Sequence, residues 1–234
     1  MAHLTGSDRA DFVQGMFTRI AHRYDLMNRL MTAGQDARWR REAIRRAALP
    51  PGRSIVLDLG AGTGDLAFDA LRRHPETTPI AADFTLAMMR VGQKRQNGHQ
   101  LNWSSADALK LPYPNETFDA VVSGFLLRNV IDIQQALAEQ FRVIKPGGMM
   151  VALDTTRPRE NLLSPLIHFH MKTVIPTLGR MLTGQADAYT YLPDSSINFL
   201  RAEEMAARMA AVGFSEINFE RKMFGVVAIH WGRK

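Results

Sequence analysis

The sequence predicts an α/β protein with a doubly wound, mostly parallel sheet. Strand-like and helix-like segments alternate from residue 55 onward, which is typical of a parallel sheet covered by helices. A glycine-rich turn, Gly60 to Gly64, follows the first strand-like run and opens a helix-like segment. An acid, Asp83, stands about twenty residues later, after the apolar run Ile80-Ala81-Ala82, where a nucleoside-binding sheet places the carboxylate that holds a ribose. These features predict a nucleoside site at the carboxyl edge of the sheet.

Two amphipathic regions precede the sheet. Apolar residues recur at helical spacing over residues 11–30 and 39–49, and Pro50-Pro51-Gly52 ends the second region. We therefore expect residues 1–50 to form helices that lie over the sheet.

Beyond these helices, the alternation predicts strands, helices and one tight turn in a fixed order. The predicted strands are Ile55–Leu59, Pro79–Asp83, Leu101–Ser105, Phe118–Ser123 and Met149–Leu153. The predicted helices are Asp65–Arg73, Leu86–Gln96 and Ile133–Ile144, and the turn is Lys145–Gly148.

The alternation pauses at residues 161–200, which we predict to be an inserted helical cap. Its first part, Asn161–Leu182, is apolar but is broken by Pro165 and Pro176. After the cap, the pattern predicts a helix over 202–211 and a strand pair, 215–221 and 223–231, that completes the sheet with an antiparallel strand. The chain of 234 residues is expected to form a single domain to which the N-terminal helices and the cap are additions.

The amino-acid composition excludes several kinds of covalent link, metal site and catalytic group. The chain is 46% hydrophobic and 22% charged, as expected of a globular protein. The lack of cysteine excludes disulfides, thiolate zinc sites, iron–sulfur clusters and a cysteine nucleophile. No stretch has the pattern of a signal peptide or contains about 18 consecutive apolar residues, so we expect a cytoplasmic protein without a membrane span.

The net charge of +6 is concentrated near the N-terminus. A basic surface there could face phosphate groups or an anionic bilayer, or it could be a solvated helix face. The arginines concerned are Arg19, Arg23, Arg29, Arg38, Arg40, Arg41, Arg45, Arg46 and Arg53.

The spacing of the glycines indicates which ligand the turn suits. A dinucleotide site shows G-x-G-x-x-G, whereas Gly60, Gly62 and Gly64 give G-x-G-x-G. Asp58 precedes the turn and Asp65 follows it, and such carboxylates would repel a pyrophosphate. They suit a ligand with a sulfonium and an ammonium group, so we expect S-adenosylmethionine (SAM).

Residues directly after the later strands are further candidates, because ligands of such sheets lie across the carboxyl ends of the strands. Asp107 and Ala108 follow the third strand, where Asp107 could bind the adenine amino group or could cap a turn. Ser123 ends the fourth strand, and Asp154 follows the fifth.

Several segments together carry a resemblance to a known family. They are Asp58–Asp65, Asp107–Asp119, Gly124–Val130, Arg142–Gly148, Tyr189–Pro193 and Val226–Gly232, within a similarity that runs from Phe17 and Tyr24–Asn28 to Gly232. The chain resembles the ubiquinone/menaquinone biosynthesis C-methyltransferases. The glycine turn and the Lys-Pro-Gly-Gly turn occur throughout class I SAM-dependent methyltransferases, whereas Phe-Leu-Leu-Arg-Asn-Val, Tyr-Thr-Tyr-Leu-Pro and Ala-Ile-His are specific to this family.

The resemblance implies a Rossmann-like class I methyltransferase that methylates a ring carbon of a polyprenylated quinol, with SAM as donor. Two positions depart from the family pattern: Asp154 stands where glutamate is usual, and Asp36 stands where histidine is expected. The residues predicted at the cofactor, from the turn and the resemblance together, are Asp58, Gly60, Gly62, Thr63, Asp83, Asp107, Ala108 and Ser123.

For catalysis we predict Arg128, Asp154 and Tyr191, with His170 as a further candidate. A quinol carbon becomes nucleophilic when a neighbouring hydroxyl loses its proton, so positioning and stabilisation of the phenolate supply much of the rate. Arg128 is the first candidate for that electrostatic role, and the alternative is a salt bridge that fixes its loop. We expect no metal, because His168 and His170 do not share a helix face.

The class of substrate stays open from the sequence. A polyprenyl quinol fits the resemblance and the apolar stretch 162–182, which with the arginine-rich helices would contact the inner face of the membrane. The alternatives are a soluble phenol or acid and, because the pI is ≈ 10.0, a nucleic acid. Against nucleic acid, the fourth strand ends in Ser123–Leu126 and not in the Asn/Asp-Pro-Pro-aromatic run of amino-group nucleic-acid methylases. A homodimer also stays open.

Overall fold

The computed structural model describes residues 6–157 and 199–234, together with Thr173 and Ser195. Seven strands of these residues form one sheet. The strands are β1 (Ser54–Leu59), β2 (Thr77–Asp83), β3 (Asn102–Ser105), β4 (Phe118–Gly124), β5 (Ile144–Thr155), β6 (Ser215–Lys222) and β7 (Val227–Arg233).

The order of the strands across the sheet is β3-β2-β1-β4-β5-β7-β6. The first five strands pair in parallel, and β7 runs antiparallel to both β5 and β6. The chain direction across the sheet reverses between β1 and β4, which is the switch point where open α/β sheets bind ligands. The predicted doubly wound, mostly parallel sheet with an antiparallel C-terminal strand is confirmed.

Helices precede and connect the strands. Among the described residues they are α1 (Gly6–Ile20), α2 (Tyr24–Met31), α3 (Asp36–Arg46), α4 (Asp65–Arg73), α5 (Leu86–Gln93), α6 (Ile133–Val143) and α7 (Ala202–Val212). A 3-10 turn at Ala21–Arg23 separates α1 from α2. The amphipathic pattern of residues 11–30 did not reveal this break, because apolar residues recur on both sides of it.

β5 begins five residues earlier than the sequence predicted. Ile144 already pairs with Phe118, and the next pair joins Ala120 to Met149, so the predicted turn Lys145–Gly148 lies inside the strand as a bulge. Gly148 is required there, because a β-carbon would lie 2.7 Å from the carbonyl oxygen of Asp119.

Apolar side chains pack against both faces of the sheet. On one face α3 and α4 contribute Trp39 and Leu66 to a buried cluster that contains Val56 of β1. On the other face α6 contributes Leu137 to a cluster that contains Leu57. Consecutive residues of β1 therefore point to opposite cores, as a strand buried on both faces requires. This packing fixes the loops at the carboxyl edge of the sheet.

The predicted cap at 161–200 lies outside the described residues, apart from Thr173, Ser195 and residues 199–200. The described chain before the cap meets its last residue, because Thr156 Oγ1 and Arg157 N donate to the carbonyl oxygen of Leu200 at 3.0 and 3.2 Å. In the described part of the chain, no helix has the length and apolar character that a bilayer span requires.

Candidate active site

One cavity opens at the switch point between β1 and β4. The loops after the parallel strands line it with residues 58–63, 83–85, 106–109 and 124–126. The N-terminal helices close one side with Val13, Gln14, Phe17, Tyr24 and Asp25. The cavity therefore lies where the sheet topology places a ligand, with an additional wall from α1 and α2.

The glycine turn brings its backbone to the edge of this cavity. Gly60, Gly62 and Gly64 have φ angles of +69°, +57° and +87°, a left-handed region that favours glycine. A β-carbon on Gly60 would also lie 2.8 Å from Cδ1 of Leu126. Glycine is therefore needed at the turn both for its conformation and for its close packing, and a ligand can approach the main chain there.

Asp83 joins the end of β2 to the glycine turn. Gly62 N donates to one of its carboxylate oxygens at 2.7 Å, and Thr85 N donates to the other at 2.6 Å. Burial raises the pKa of Asp83, although these hydrogen bonds oppose the shift. Each carboxylate oxygen has a second lone pair, so the group can still accept hydrogen bonds from a ligand in the cavity.

Asp58, at the end of β1, is a buried carboxyl with one uncommitted oxygen. It is 1% exposed. Its Oδ2 accepts a hydrogen bond from Ala67 N at 2.9 Å, whereas its Oδ1 receives none from any described residue. Burial raises the pKa of Asp58 to about 7. A buried acid of this kind gains a partner when a cationic ligand binds beside it.

Asp65 differs from Asp58, because arginines neutralise it. Arg40 and Arg95 lie 2.8 and 2.7 Å from its carboxylate oxygens. Burial alone would raise the pKa of Asp65, but the two arginines outweigh burial and hold that pKa below its ordinary value. Arg40 also pairs with the fully buried Asp36, the position where the family pattern predicted histidine. Of the two acids that flank the turn, Asp58 is therefore the one left for a ligand.

The other predicted cofactor residues lie in different settings. Asp107 accepts a hydrogen bond from Leu109 N at 2.9 Å, which is the turn-capping contact of the alternative interpretation, and both Asp107 and Ala108 line the cavity. Thr63 also lines the cavity, but its hydroxyl donates to Asp25 on α2. Ser123 is buried within β4 and does not line the cavity, which begins at the next residue of that strand.

Two predicted catalytic residues, Arg128 and Asp154, bind each other. The Arg128 side chain donates to Asp154 Oδ1 at 2.9 Å and the Arg128 amide donates to Oδ2 at 3.2 Å. Both residues are buried, and neither lines the cavity. Arg128 lies behind the cavity wall, with its guanidinium carbon 5.1 Å from the ring centroid of Phe125. The structure thus shows the salt bridge that sequence analysis considered as the alternative.

Comparison with known proteins identifies the family of the chain. A model described as the ubiE/COQ5 methyltransferase family matches residues 4–234. The chain belongs to this family. A Desulfotalea psychrophila protein named ubiquinone/menaquinone biosynthesis C-methyltransferase UbiE is 45% identical over 222 residues, covering 95% of this chain and 90% of that protein. A Roseiflexus protein named demethylmenaquinone methyltransferase is 39% identical over 226 residues, covering 97% of this chain and 94% of that protein.

Solved structures support the fold. A SAM-dependent methyltransferase from Thermotoga maritima superposes with a TM-score of 0.64 at 20% identity, covering 94% of this chain and 99% of that protein. The predicted class I methyltransferase fold and the resemblance to the quinone-pathway C-methyltransferases are both confirmed. The ubiE/COQ5 protein described here is a SAM-dependent C-methyltransferase.

The cavity fits the cofactor that the ubiE/COQ5 family requires. Its glycine turn lines the cavity with Gly60, Ala61 and Gly62, and the uncommitted oxygen of Asp58 suits a cationic group. Asp83 ends β2, at the position where a ribose is held in sheets of this kind. These residues would hold SAM, whose charged sulfonium supplies a transferable methyl group when it is bound.

No histidine of the described residues lines the cavity. His230 lies in β7, where its ring nitrogen is 3.0 Å from the carbonyl oxygen of Ala202, and burial lowers its pKa to about 4. Residues 6–157 and 199–234 contain no cluster of three potential metal ligands. The predicted catalytic Tyr191, together with His168 and His170, lies outside the described residues.

Sequence reasoning missed the contribution of the N-terminal helices. Phe17, Tyr24, Asp25 and Arg40 all line the cavity, and none of them was given a role there. The available signal was the family-like segment Tyr24–Asn28 and its tyrosine-aspartate pair, which amphipathic spacing alone does not explain.

Proposed function

We propose that this enzyme methylates a ring carbon of a polyprenylated quinol, either demethylmenaquinol or the 2-methoxy-benzoquinol precursor of ubiquinone. The names of its relatives support this class of substrate. The observation that carries the cofactor assignment is the buried Asp58 carboxyl behind the glycine turn, with one oxygen left for a cationic ligand.

We assign the parts of SAM to residues by their chemistry. Asp83 accepts hydrogen bonds from the ribose hydroxyls. Asp107 and Ala108 lie at the adenine end, where Phe84 offers a ring that is 45% exposed for contact with the base. Asp58 lies at the charged methionine end. Gly60 and Gly62 contribute backbone to the same cavity, whereas the hydroxyl of Thr63 is bound to Asp25 and is given no part of SAM.

We expect the affinity for SAM to rise with pH between about 5.5 and 7. The pKa of Asp58 is about 7 in the empty protein, so its carboxyl is largely protonated at pH 5.5. A bound cation favours the ionised form, which means that binding releases a proton and strengthens as the pH rises. Calorimetric titration should show up to ~10-fold tighter binding at pH 7 than at pH 5.5.

Asp58→Asn is the control for this pH dependence, since it keeps the shape and hydrogen bonding of the side chain but cannot ionise. The variant should bind SAM with nearly the same affinity across this range, because the SAM amino group titrates only near about pH 8. S-adenosylhomocysteine, which lacks the sulfonium charge, should show a smaller pH effect in the wild type. An unchanged pH dependence in Asp58→Asn would exclude this carboxyl as the partner of the cation.

For the chemical step, we propose that Arg128 provides a positive charge behind the cavity wall. Asp154 is buried, does not line the cavity and binds the Arg128 guanidinium, so this carboxyl is poorly placed to act as a general base. Asp154 then serves to hold Arg128 in place. Tyr191 remains a predicted catalytic residue of the cap. Phe125 and Tyr24, which line the cavity near Arg128, keep water from the reacting hydroxyl.

We further propose that the enzyme works in the cytoplasm at the inner face of the membrane, where a prenylated quinol is dissolved. The outer face of α2 supports this location. Leu26 and Leu30, one helical turn apart, are 56% and 45% exposed, and the neighbouring Arg23 and Arg29 are also exposed. Exposed leucines beside arginines suit the headgroup region of an anionic bilayer.

We expect Arg29→Glu to weaken binding to anionic vesicles at least ~5-fold at low salt, because each arginine near an anionic surface contributes about 1 kcal/mol. Arg73→Glu is the matched control, since this exposed arginine ends α4 at the opposite edge of the sheet. Replacing Leu26 and Leu30 by serine should weaken binding at every salt concentration. Flotation in which Arg29→Glu and Arg73→Glu behave alike would exclude α2 as the contact.

The substrate itself is tested with labelled SAM and four acceptors. These are a prenylated demethylmenaquinol, a prenylated 2-methoxy-benzoquinol and the same head groups without their prenyl chains. We expect carbon methylation of a prenylated quinol, located by mass spectrometry of the product ring. Methylation of the unprenylated head groups alone would favour the soluble-phenol alternative. The question of a homodimer, which the sequence left open, is answered by analytical ultracentrifugation.

A further inference from the structure

α1, the 3-10 turn and α2 form one wall of the cavity and have an apolar cluster of their own. Met16, Ile20 and Met27 are its buried members. Phe17 and Tyr24 contact this cluster and also line the cavity. Among the described residues, the cluster includes no residue of the sheet. Contacts outside it must therefore hold the wall, residues 6–31, against the rest of the site.

Polar contacts join the wall to two loops of the cofactor cavity. Thr63 Oγ1, in the glycine turn, donates to the carboxylate of Asp25 on α2, with oxygen–oxygen distances of 2.8 and 3.0 Å. Gln14 Nε2, on α1, donates to the carbonyl oxygen of Phe84 at 3.2 Å. Phe84 directly follows the proposed ribose acceptor Asp83. These hydrogen bonds thus join the wall to the two loops that we propose bind SAM.

Arg95 binds the same threonine. Its Nη1 donates to the Thr63 carbonyl oxygen at 3.1 Å and lies 3.3 Å from Thr63 Oγ1. The same nitrogen is 2.7 Å from Asp65 and 3.6 Å from Asp25. The Thr63 hydroxyl therefore donates to a carboxylate and accepts from a guanidinium, so contacts within the protein use both of its hydrogen-bonding roles.

We infer that Asp25 is a positioning residue that fastens α2 to the glycine turn through Thr63 and thereby closes the N-terminal wall over bound SAM. The inference rests on the proposed cofactor and goes beyond it, because it assigns the Thr63 hydroxyl to the wall and not to the ligand. We call the contact between Asp25, Thr63 and Arg95 the clasp.

The clasp has the properties that a reversible closure needs. Its hydrogen bonds are charge-assisted, which makes them stronger than neutral ones. The side chains of Asp25 and Arg95 are 34% and 33% exposed, so water can replace their contacts when the clasp opens. The apolar cluster of the wall stays intact in both states, because it is internal to residues 6–31. Opening would move Tyr24, next to Asp25, out of the cavity lining and free a path for the cofactor.

The first test uses the protein without any ligand. Asp25→Ala and Thr63→Val should each increase amide hydrogen exchange in α1 and α2, roughly 10-fold, while exchange in the strands stays unchanged. Asp11→Ala, an exposed change on α1, is the matched control and should have no effect. Thr63→Ser keeps the hydroxyl and should show the wild-type exchange. Unchanged exchange in both Asp25→Ala and Thr63→Val would overturn the clasp.

The second test measures release of S-adenosylhomocysteine by stopped-flow competition. Each single variant should release it about 10-fold faster than the wild type, and the double variant should be no faster than either single one, because both changes break the same contact. Independent effects that multiply would overturn the inference. Failure of the wild type to bind either SAM or S-adenosylhomocysteine would instead refute the proposed cofactor, while the exchange result would still decide whether the clasp exists.

Discussion

Replacing Asp154 with alanine is expected to lower the free energy of unfolding by about 3–5 kcal/mol, the usual cost of removing one partner of a buried ion pair. The change leaves the Arg128 guanidinium without its carboxylate in a site where the residue is only 6% exposed. Arginine cannot escape this cost by losing its proton. Chemical denaturation at neutral pH measures the effect directly.

The reverse change, Arg128→Ala, should cost less than Asp154→Ala at low pH. Burial already raises the pKa of Asp154, so the carboxyl that remains can take up a proton and become neutral. The cost should then grow as the pH rises and the carboxyl ionises. Replacing both residues, Arg128→Met with Asp154→Leu, removes both charges and should be nearly neutral for stability. Equal costs for the two single alanine variants at every pH would contradict this account.

The same variants separate stability from catalysis. If Arg128 stabilises the phenolate, the double apolar variant folds well and binds SAM normally but turns over slowly. If the pair only fixes its loop, that variant keeps most of its turnover. Sequence analysis had to leave these two roles of Arg128 open, because a motif identifies a residue and not its partner.

The sheet and its ligand edge could be predicted from the sequence because local patterns determine them. Apolar runs located the seven strands and helical spacing located the helices, although these patterns missed the start of β5 and the break between α1 and α2. The alternate glycines marked the turn after β1. Asp83 followed from the distance between the turn and the second strand. Each of these inferences uses a few dozen neighbouring residues at most, which is the range over which patterning is informative.

Only the folded structure shows which of the acids beside the glycine turn is neutralised by arginines. From the sequence, Asp58 and Asp65 looked equivalent, as two acids that flank the same glycines. Folding brings Arg40 and Arg95 from distant segments onto Asp65 and leaves one oxygen of Asp58 without a partner among the described residues. The electrostatic argument for a cationic ligand therefore stands on Asp58 alone. Spacing along the chain cannot reveal such compensation, since it depends on which helix covers which loop.

Long-range packing also explains why the N-terminal helices were misjudged. Their amphipathic spacing predicted helices that cover the sheet, which describes only their apolar side. Tyr24 and Asp25 are adjacent on one short helix, and both line the cavity. Nothing in the spacing of α2 distinguishes a residue that contacts the glycine turn from one that faces water. Only the observed contact with Thr63, 38 residues further along, makes that distinction.

Replacing Asp83 with alanine should weaken SAM binding by about 3 kcal/mol, or roughly 100-fold, because two charged hydrogen bonds to the ribose would be lost. The same change removes the acceptor for Gly62 N and Thr85 N, so the glycine turn also loses support. Asp83→Asn keeps one acceptor oxygen and should fall between the wild type and the alanine variant. Calorimetric titration with S-adenosylhomocysteine measures these affinities without turnover.

A ligand analogue separates ribose recognition from support of the turn. An S-adenosylhomocysteine that lacks the ribose 2′-hydroxyl should bind the wild type more weakly than the intact ligand, whereas Asp83→Ala should bind the two with nearly equal affinity. Asp119 offers the matched control: at the start of β4 it accepts a hydrogen bond from Ile55 N of β1 at 2.7 Å, at the amino edge of the sheet and outside the cavity lining. Asp119→Ala should lower stability and leave affinity unchanged. If Asp83→Ala still discriminates between the two ligands as the wild type does, another residue holds the 2′-hydroxyl, and Asp83 acts only through the glycine turn.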